Sequence, residues 1–229
     1  MEHREDRVPA EPGGPSASQQ LADVLLQVIT EQNVFLAGHL KRVSELSRAL
    51  AEVLGLPEPE IQRIWLAGRL HDIGMTAVPA LMFQRLEPFD ASNWALMRLS
   101  PLIGERIVSA APALASTAPL IRSSHEQIDG QGYPDRLAGE NIPLGSRIIA
   151  VCDAFAAMTS PYWPRKGVAA ALEELERCSG TQFDAAIVKA FCATTELHGI
   201  SAAPQNRPSS TAENDRTRRS APTDTPSEP

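Results

Sequence analysis

Four residues far apart in the chain carry the first chemical signal: His39, the adjacent pair His71 and Asp72, and Asp153. His39 lies one helical turn after Phe35 and one before Val43, while His71 and Asp72 stand ten and eleven positions after Ile61. Asp153 sits within the apolar run RIIAVCDAFAAM, beside Cys152 and close to Phe155. A lone histidine on an apolar stripe is ordinarily a core residue. A carboxylate in such a place is seldom tolerated unless it is paired or coordinated. Together, imidazole nitrogen and carboxylate oxygen suit Zn, Fe or Mn, and helices of a bundle can aim such ligands at one interior point.

The elements able to aim them read as helix after helix. Leu21, Val24, Leu25, Val28, Phe35, Leu36, Val43, Leu46, Leu50 and Val53 recur largely at three- and four-residue steps. That stripe predicts a helix from about Gln19 to Leu54, with an interruption near Asn33 or Gly38, stopping at Gly55 and Pro57. A second helix is expected from near Pro59, with Ile61, Ile64, Trp65 and Gly68 on one face and His71 and Asp72 continuing it. Ser92 is positioned to cap a third, which Pro101 must break or restart. Segments 119–125, 145–159, 167–178 and 183–196 continue the pattern, whereas DGQGYPDRLAGENIP (129–143) is dense in Gly, Pro and Asn and reads as a long loop.

Composition narrows the class. Aromatics are only 5 % against 43 % hydrophobic residues, which favours helices packed on helices. A formal charge of −7 leaves no excess of Lys and Arg for a nucleic-acid backbone, so no nucleic-acid partner is expected. No run approaches the ~18 apolar residues of a membrane span, so no membrane partner is expected. Cys152, Cys178 and Cys192 show no C-x-x-C spacing, and the expected home is the cytoplasm. Residues 1–18 read as a disordered leader and 199–229 as a disordered tail, with one domain over 19–198.

Further motifs extend the pattern. Arg42 and Val43 follow His39, and His71 opens the run His-Asp-Ile-Gly. HEQIDGQGYP holds His125, Glu126, Asp129, Gly130, Gly132, Tyr133 and Pro134. Ile142, Pro143, Leu144, Arg147 and Ile148 come next, then Val151, Asp153, Phe155, Thr159 and Ser160. In order and spacing this resembles the HD-GYP family over about residues 20 to 195. The resemblance implies an all-α HD-domain bundle of about seven helices with a GYP loop. It also implies bound iron or manganese and hydrolysis of cyclic di-GMP by a metal-activated water. Carried onto this chain, it makes His39, His71, Asp72 and Asp153 ligands of a first metal, adds His125 as a ligand, and gives Asp72 and His125 the catalytic work. Asp129, Tyr133 and Arg165 fall on the substrate side.

The family pattern is incomplete. Ser100 and Ser124 stand where the family places second-metal histidines, and Phe35 where trinuclear members supply a glutamate. Met75 replaces the HDIGK lysine, Ala156 a second aspartate, and Tyr162 a basic residue, with Arg165 nearby as partial compensation. A serine hydroxyl is a poor substitute for imidazole, and losing Lys and Arg removes charge-assisted contacts to phosphate. The expectation is therefore one divalent ion at most, Fe or Mn with Zn as the alternative. The expected role is in cyclic di-GMP signalling with weak or absent hydrolysis, acting by binding a cyclic dinucleotide, another nucleotide or a partner protein. The competing readings are an active mononuclear phosphohydrolase, and a buried polar network in which Gly130, Gly132 and Pro134 merely shape a loop.

Overall fold

The computed structural model describes residues 14–78, 91–160 and 166–198; residues 1–13 of the expected leader, the tail, Tyr162 and Arg165 lie outside these, while Ser16, Ala17 and Ser18 at the leader's end are not disordered but cap and open the first helix. The described residues form α1 (Ala17–Gln32), α2 (Val34–Val53), α3 (Glu58–Leu70), α4 (Ala91–Met97), α5 (Ser100–Ser109), α6 (Ala118–Arg122), α7 (Leu144–Thr159), α8 (Val168–Arg177) and α9 (Ala185–His198). Short 3₁₀ turns punctuate them, and no strand occurs among the described residues. The fold is the expected all-α bundle, with two of the expected helices each split in two.

One split falls at Asn33, not Gly38. Asn33 turns to an extended conformation (φ −156°), and its Oδ1 accepts the N–H groups of Phe35 (3.1 Å) and Leu36 (3.0 Å), capping α2. Such a cap contributes about 1 kcal/mol. Upstream, Ser16 and Gln19 form a reciprocal capping box, so α1 begins slightly before Gln19. Pro101 restarts the chain in the first turn of α5, while Ser92 lies within α4 instead of preceding it.

Helix α2 runs through the middle, packed against α1, α3, α7 and α9. Leu40, Val43, Leu50, Ile64, Leu70, Ile148, Phe155 and Phe191 are buried there, each contributing about 1.5–3 kcal/mol. Part of the apolar stripe faces outward: Val24 (59 %), Val28 (50 %), Phe35 (54 %) and Val53 (53 %) are exposed, and α1 instead buries Ala22, Leu26 and Ile29. That register brings small Ala22 to the contact, which sequence hydropathy underrates.

Helix α3 ends at Leu70, so His71 and Asp72 do not continue its face as expected. His71 is the C-cap, Asp72 departs to φ −104°, ψ 17°, and a 3₁₀ turn over Ile73–Ala77 follows. Two contacts enforce the break. The His71 ring takes the Gly68 carbonyl, one of the acceptors left orphaned at a helix end. Gly74 passes so close to the Ser100 carbonyl oxygen that any Cβ there would overlap it. The chain turns there, and both side chains swing toward α2 and α7.

Candidate metal centre

Three elements deliver the first group of side chains: α2 brings His39, the end of α3 brings His71 and Asp72, and α7 brings Asp153. His39 Nε2–H donates to Asp153 Oδ1 at 2.7 Å. The same oxygen lies 3.7 Å from His71 Nε2, which is also 3.5 Å from Asp72 Oδ2. One ligand atom each from His39, His71 and Asp72 lies within 4.8 Å of the others. The edge-on rings of His39 and His71 have centroids 5.9 Å apart.

His71 decides what this cluster suits. Its Nδ1–H donates to the Gly68 carbonyl at 3.0 Å, which leaves Nε2 as the atom aimed at the acids. Nε2 is buried and lacks a hydrogen-bond partner. A buried, unsatisfied nitrogen costs about 1–3 kcal/mol unless something occupies it. An imidazole fixed through one nitrogen by a backbone carbonyl, with the other aimed among carboxylates, has the habit of a metal ligand. Burial alone would lower the His71 pKa, but the Asp72 and Asp153 charges outweigh it and push it up to about 9. Burial likewise opposes ionisation of Asp153 and Asp72, yet the imidazoles of His39, His71 and His125 hold both carboxyls below the usual range.

The second group comes from the loop after α6. His125 Nε2–H donates to Asp72 Oδ1 at 3.1 Å, so Asp72 stands between His71 and His125. Tyr133 stacks on His125 with centroids 5.1 Å apart and planes 16° from parallel. Burial, followed by the Asp72 and Asp153 charges, drives the Tyr133 phenol well above its ordinary pKa, with Arg98 pulling weakly the other way. It remains a hydrogen-bond donor throughout the physiological range.

The replaced positions do not rejoin the cluster. Ser124 is buried and donates its hydroxyl to the Ile121 carbonyl at 2.9 Å. Ala156 is packed in the core. Met75 lies in the 3₁₀ turn, its N–H on the Asp72 carbonyl. Ser100 is buried at the start of α5, its carbonyl against Gly74. Exposed Asp129 uses Oδ1 to accept the Gln131 N–H at 2.9 Å, an Asx turn at the base of the loop. His39, His71 and Asp72 thus bring together three donor atoms of types suited to a divalent ion, with Asp153 Oδ1 against both histidines. His125 stands on the far side of Asp72, against its Oδ1.

The sequence reading gave no role to Glu126, Arg122 or Asp135. Glu126 is buried, and its oxygens accept the N–H groups of Asp135 (2.7 Å) and Leu137 (3.1 Å). Arg122 grips Asp135 through two hydrogen bonds (2.6 and 2.8 Å) and also pairs with Glu105. A glutamate directly before a Gly-rich loop was the only signal available for the first, and nothing local marked the other two.

Comparison with known proteins bears on the family and the fold. A family model described as "HD domain" matches residues 23–187. A cyclic di-GMP phosphodiesterase of Thermotoga maritima is 35 % identical over 67 % of this chain and 43 % of its own length. The cyclic di-GMP phosphodiesterase response regulator RpfG of Xanthomonas campestris is 37 % identical over 66 % of this chain and 41 % of its own. The chain therefore spans about two fifths of these curated relatives. Among solved structures, an HDG"Y"P protein of Bdellovibrio bacteriovorus aligns with a TM-score of 0.60 at 21 % identity, over 78 % of this chain and 63 % of that one. A cyclic GMP-AMP specific phosphodiesterase of V. cholerae aligns at 0.62 and 20 % identity, over 78 % and 49 %. The family model spans every side chain of the cluster and most of the described residues, and this chain belongs to the HD domain family.

Proposed function

We propose that this domain holds one divalent ion, Fe or Mn, among His39, His71, Asp72 and Asp153, and receives a cyclic dinucleotide that it hydrolyses slowly or not at all. The observation that carries this reading is the buried, unpartnered Nε2 of His71 between the Asp72 and Asp153 carboxylates. An ion bound there supplies Lewis acidity and lowers the pKa of a coordinated water. Asp72, anionic between two imidazoles, is placed to accept a proton, and His125 Nε2 to donate one toward a leaving oxygen. The protonated Tyr133 phenol offers a donor to a phosphoryl oxygen. The substrate class rests on relatives named for cyclic di-GMP and for 3′3′-cGAMP. The slow turnover rests on Met75, Ala156 and Ser124, which offer neither cation nor ligand at the positions where the family pattern has them.

The competing reading, an active mononuclear phosphohydrolase, is favoured by the completeness of the helix-borne ligand set. Anaerobic purification without chelator, followed by metal analysis and cyclic di-GMP binding and hydrolysis assays on wild type and Asp72→Ala, separates them. We expect about one ion per chain, absent in the variant, and nucleotide binding with turnover far below the usual ~1–10³ s⁻¹. Turnover within that range, lost in Asp72→Ala, establishes the active enzyme instead. A metal-free wild type, or two ions per chain, overturns both.

A further inference from the structure

His39 and His71 are aimed by helices, but His125 lies in a turn beyond the end of α6, where no helix fixes its ring. Its orientation comes from the returning arm of the loop. The Tyr133 N–H donates to the His125 carbonyl at 3.2 Å, and the Tyr133 ring lies parallel to the imidazole. Gly132 passes so near the backbone of Glu126 and Gln127 that a Cβ would overlap it, so the two arms lie against each other. Between them sits the Glu126 carboxylate, in a residue only 4 % exposed, with one oxygen on the Asp135 N–H and the other on the Leu137 N–H. A buried carboxylate is tolerated only when well satisfied, and hydrogen bonds to a charged acceptor are worth about 1.5–3 kcal/mol each.

We infer that Glu126 is a positioning residue for the metal centre: by clamping the returning arm from inside, it keeps Tyr133 stacked on His125 and so holds His125 Nε2 toward Asp72. This rests on the reading of Asp72 as a metal ligand and of His125 as the group that holds it through Nε2. Arg122 grips the same arm from outside through Asp135, but its side chain is 33 % exposed and its ion pairs are open to screening. The interior clamp is the one that sets the ring.

The test is a double-mutant cycle read by Co(II) titration of the metal-free protein, using visible absorption, on wild type, His125→Ala, Glu126→Gln and the double variant. Glutamine keeps one acceptor and turns an amide N–H toward the second backbone N–H. Removing a group that orients a ligand costs about 10–100-fold in metal affinity. We expect about a tenfold loss in Glu126→Gln and no further loss when it is added to His125→Ala, because the effect passes through the imidazole. Wild-type affinity in Glu126→Gln overturns the inference alone. So does an equal loss in both backgrounds, which is the mark of general structural damage. Wild-type affinity in His125→Ala overturns the reading of His125, and this inference with it. If Glu126→Gln does not fold, Glu126→Asp, which cannot reach both N–H groups, is carried through the same cycle.

Discussion

His71 and His125 flank Asp72 and face it from 3.5 and 3.1 Å, yet they are held in place by unlike means. His71 stands at the end of a packed helix, buried, with its ring locked by a carbonyl one turn back. His125 stands in a turn, its ring backed by Tyr133, in a loop closed by Glu126 and Arg122. One half of the centre is therefore built on buried apolar area and the other on a few polar contacts. Beside His125, on the loop-borne side, the Ser124 hydroxyl is turned away from the cluster to a backbone carbonyl.

The largest expected effect separates the halves outright. Asp153→Ala, which removes the acid shared by His39 and His71, should abolish metal binding, while His125→Asn should retain an ion at affinity reduced about 10–100-fold. Metal analysis after desalting checks both. Equal loss in the two variants would make the centre one unit and erase the comparison.

A smaller effect is confined to the loop. Gly132→Ala puts a methyl into the backbone of Glu126 and Gln127, and overpacking of this kind costs about 1–3 kcal/mol. Thermal melting should register the loss while the ion remains bound to the helix-borne set. A variant that melts like wild type would mean that the two arms of the loop do not need their close approach.

The smallest effect lies where the loop rejoins the helices. Arg147 on α7 donates to the Ile142 carbonyl at 3.0 Å and to Asp184, just before α9, at 2.6 Å. Burial alone would raise the Asp184 pKa, but Arg147 and the N–H groups of Ala186 and Ile187 hold it below the usual carboxylate range. A depressed folded pKa gives stability that is present above the unfolded value of about 3.9 and lost as pH falls through the folded one. Arg147→Met should cost about 1–2 kcal/mol at pH 7, allowing for partial exposure of the pair. The gap in melting temperature from wild type should narrow as pH drops below about 4, leaving the share due to the Ile142 carbonyl contact. A gap undiminished in acid would assign the loss to the Ile142 contact and to packing of the arginine stem instead of the Asp184 pair.

Helical periodicity and the spacing of His39, His-Asp, HEQIDGQGYP and Asp153 pointed to a helical bundle that brings imidazoles and acids together. These are local signals: a side-chain period of 3.6 residues, and residue types whose burial demands a partner. Tertiary packing decided the rest. It broke α3 at His71 because Gly74 meets the Ser100 carbonyl, a contact between residues distant in the chain. It turned Val24, Val28 and Phe35 outward, because register depends on what each helix meets. It joined His39 to Asp153 and His125 to Asp72, turned Ser124 away from the cluster, and placed Glu126 inside the loop. A sequence states which groups need partners; only the folded chain determines which partner each one reaches.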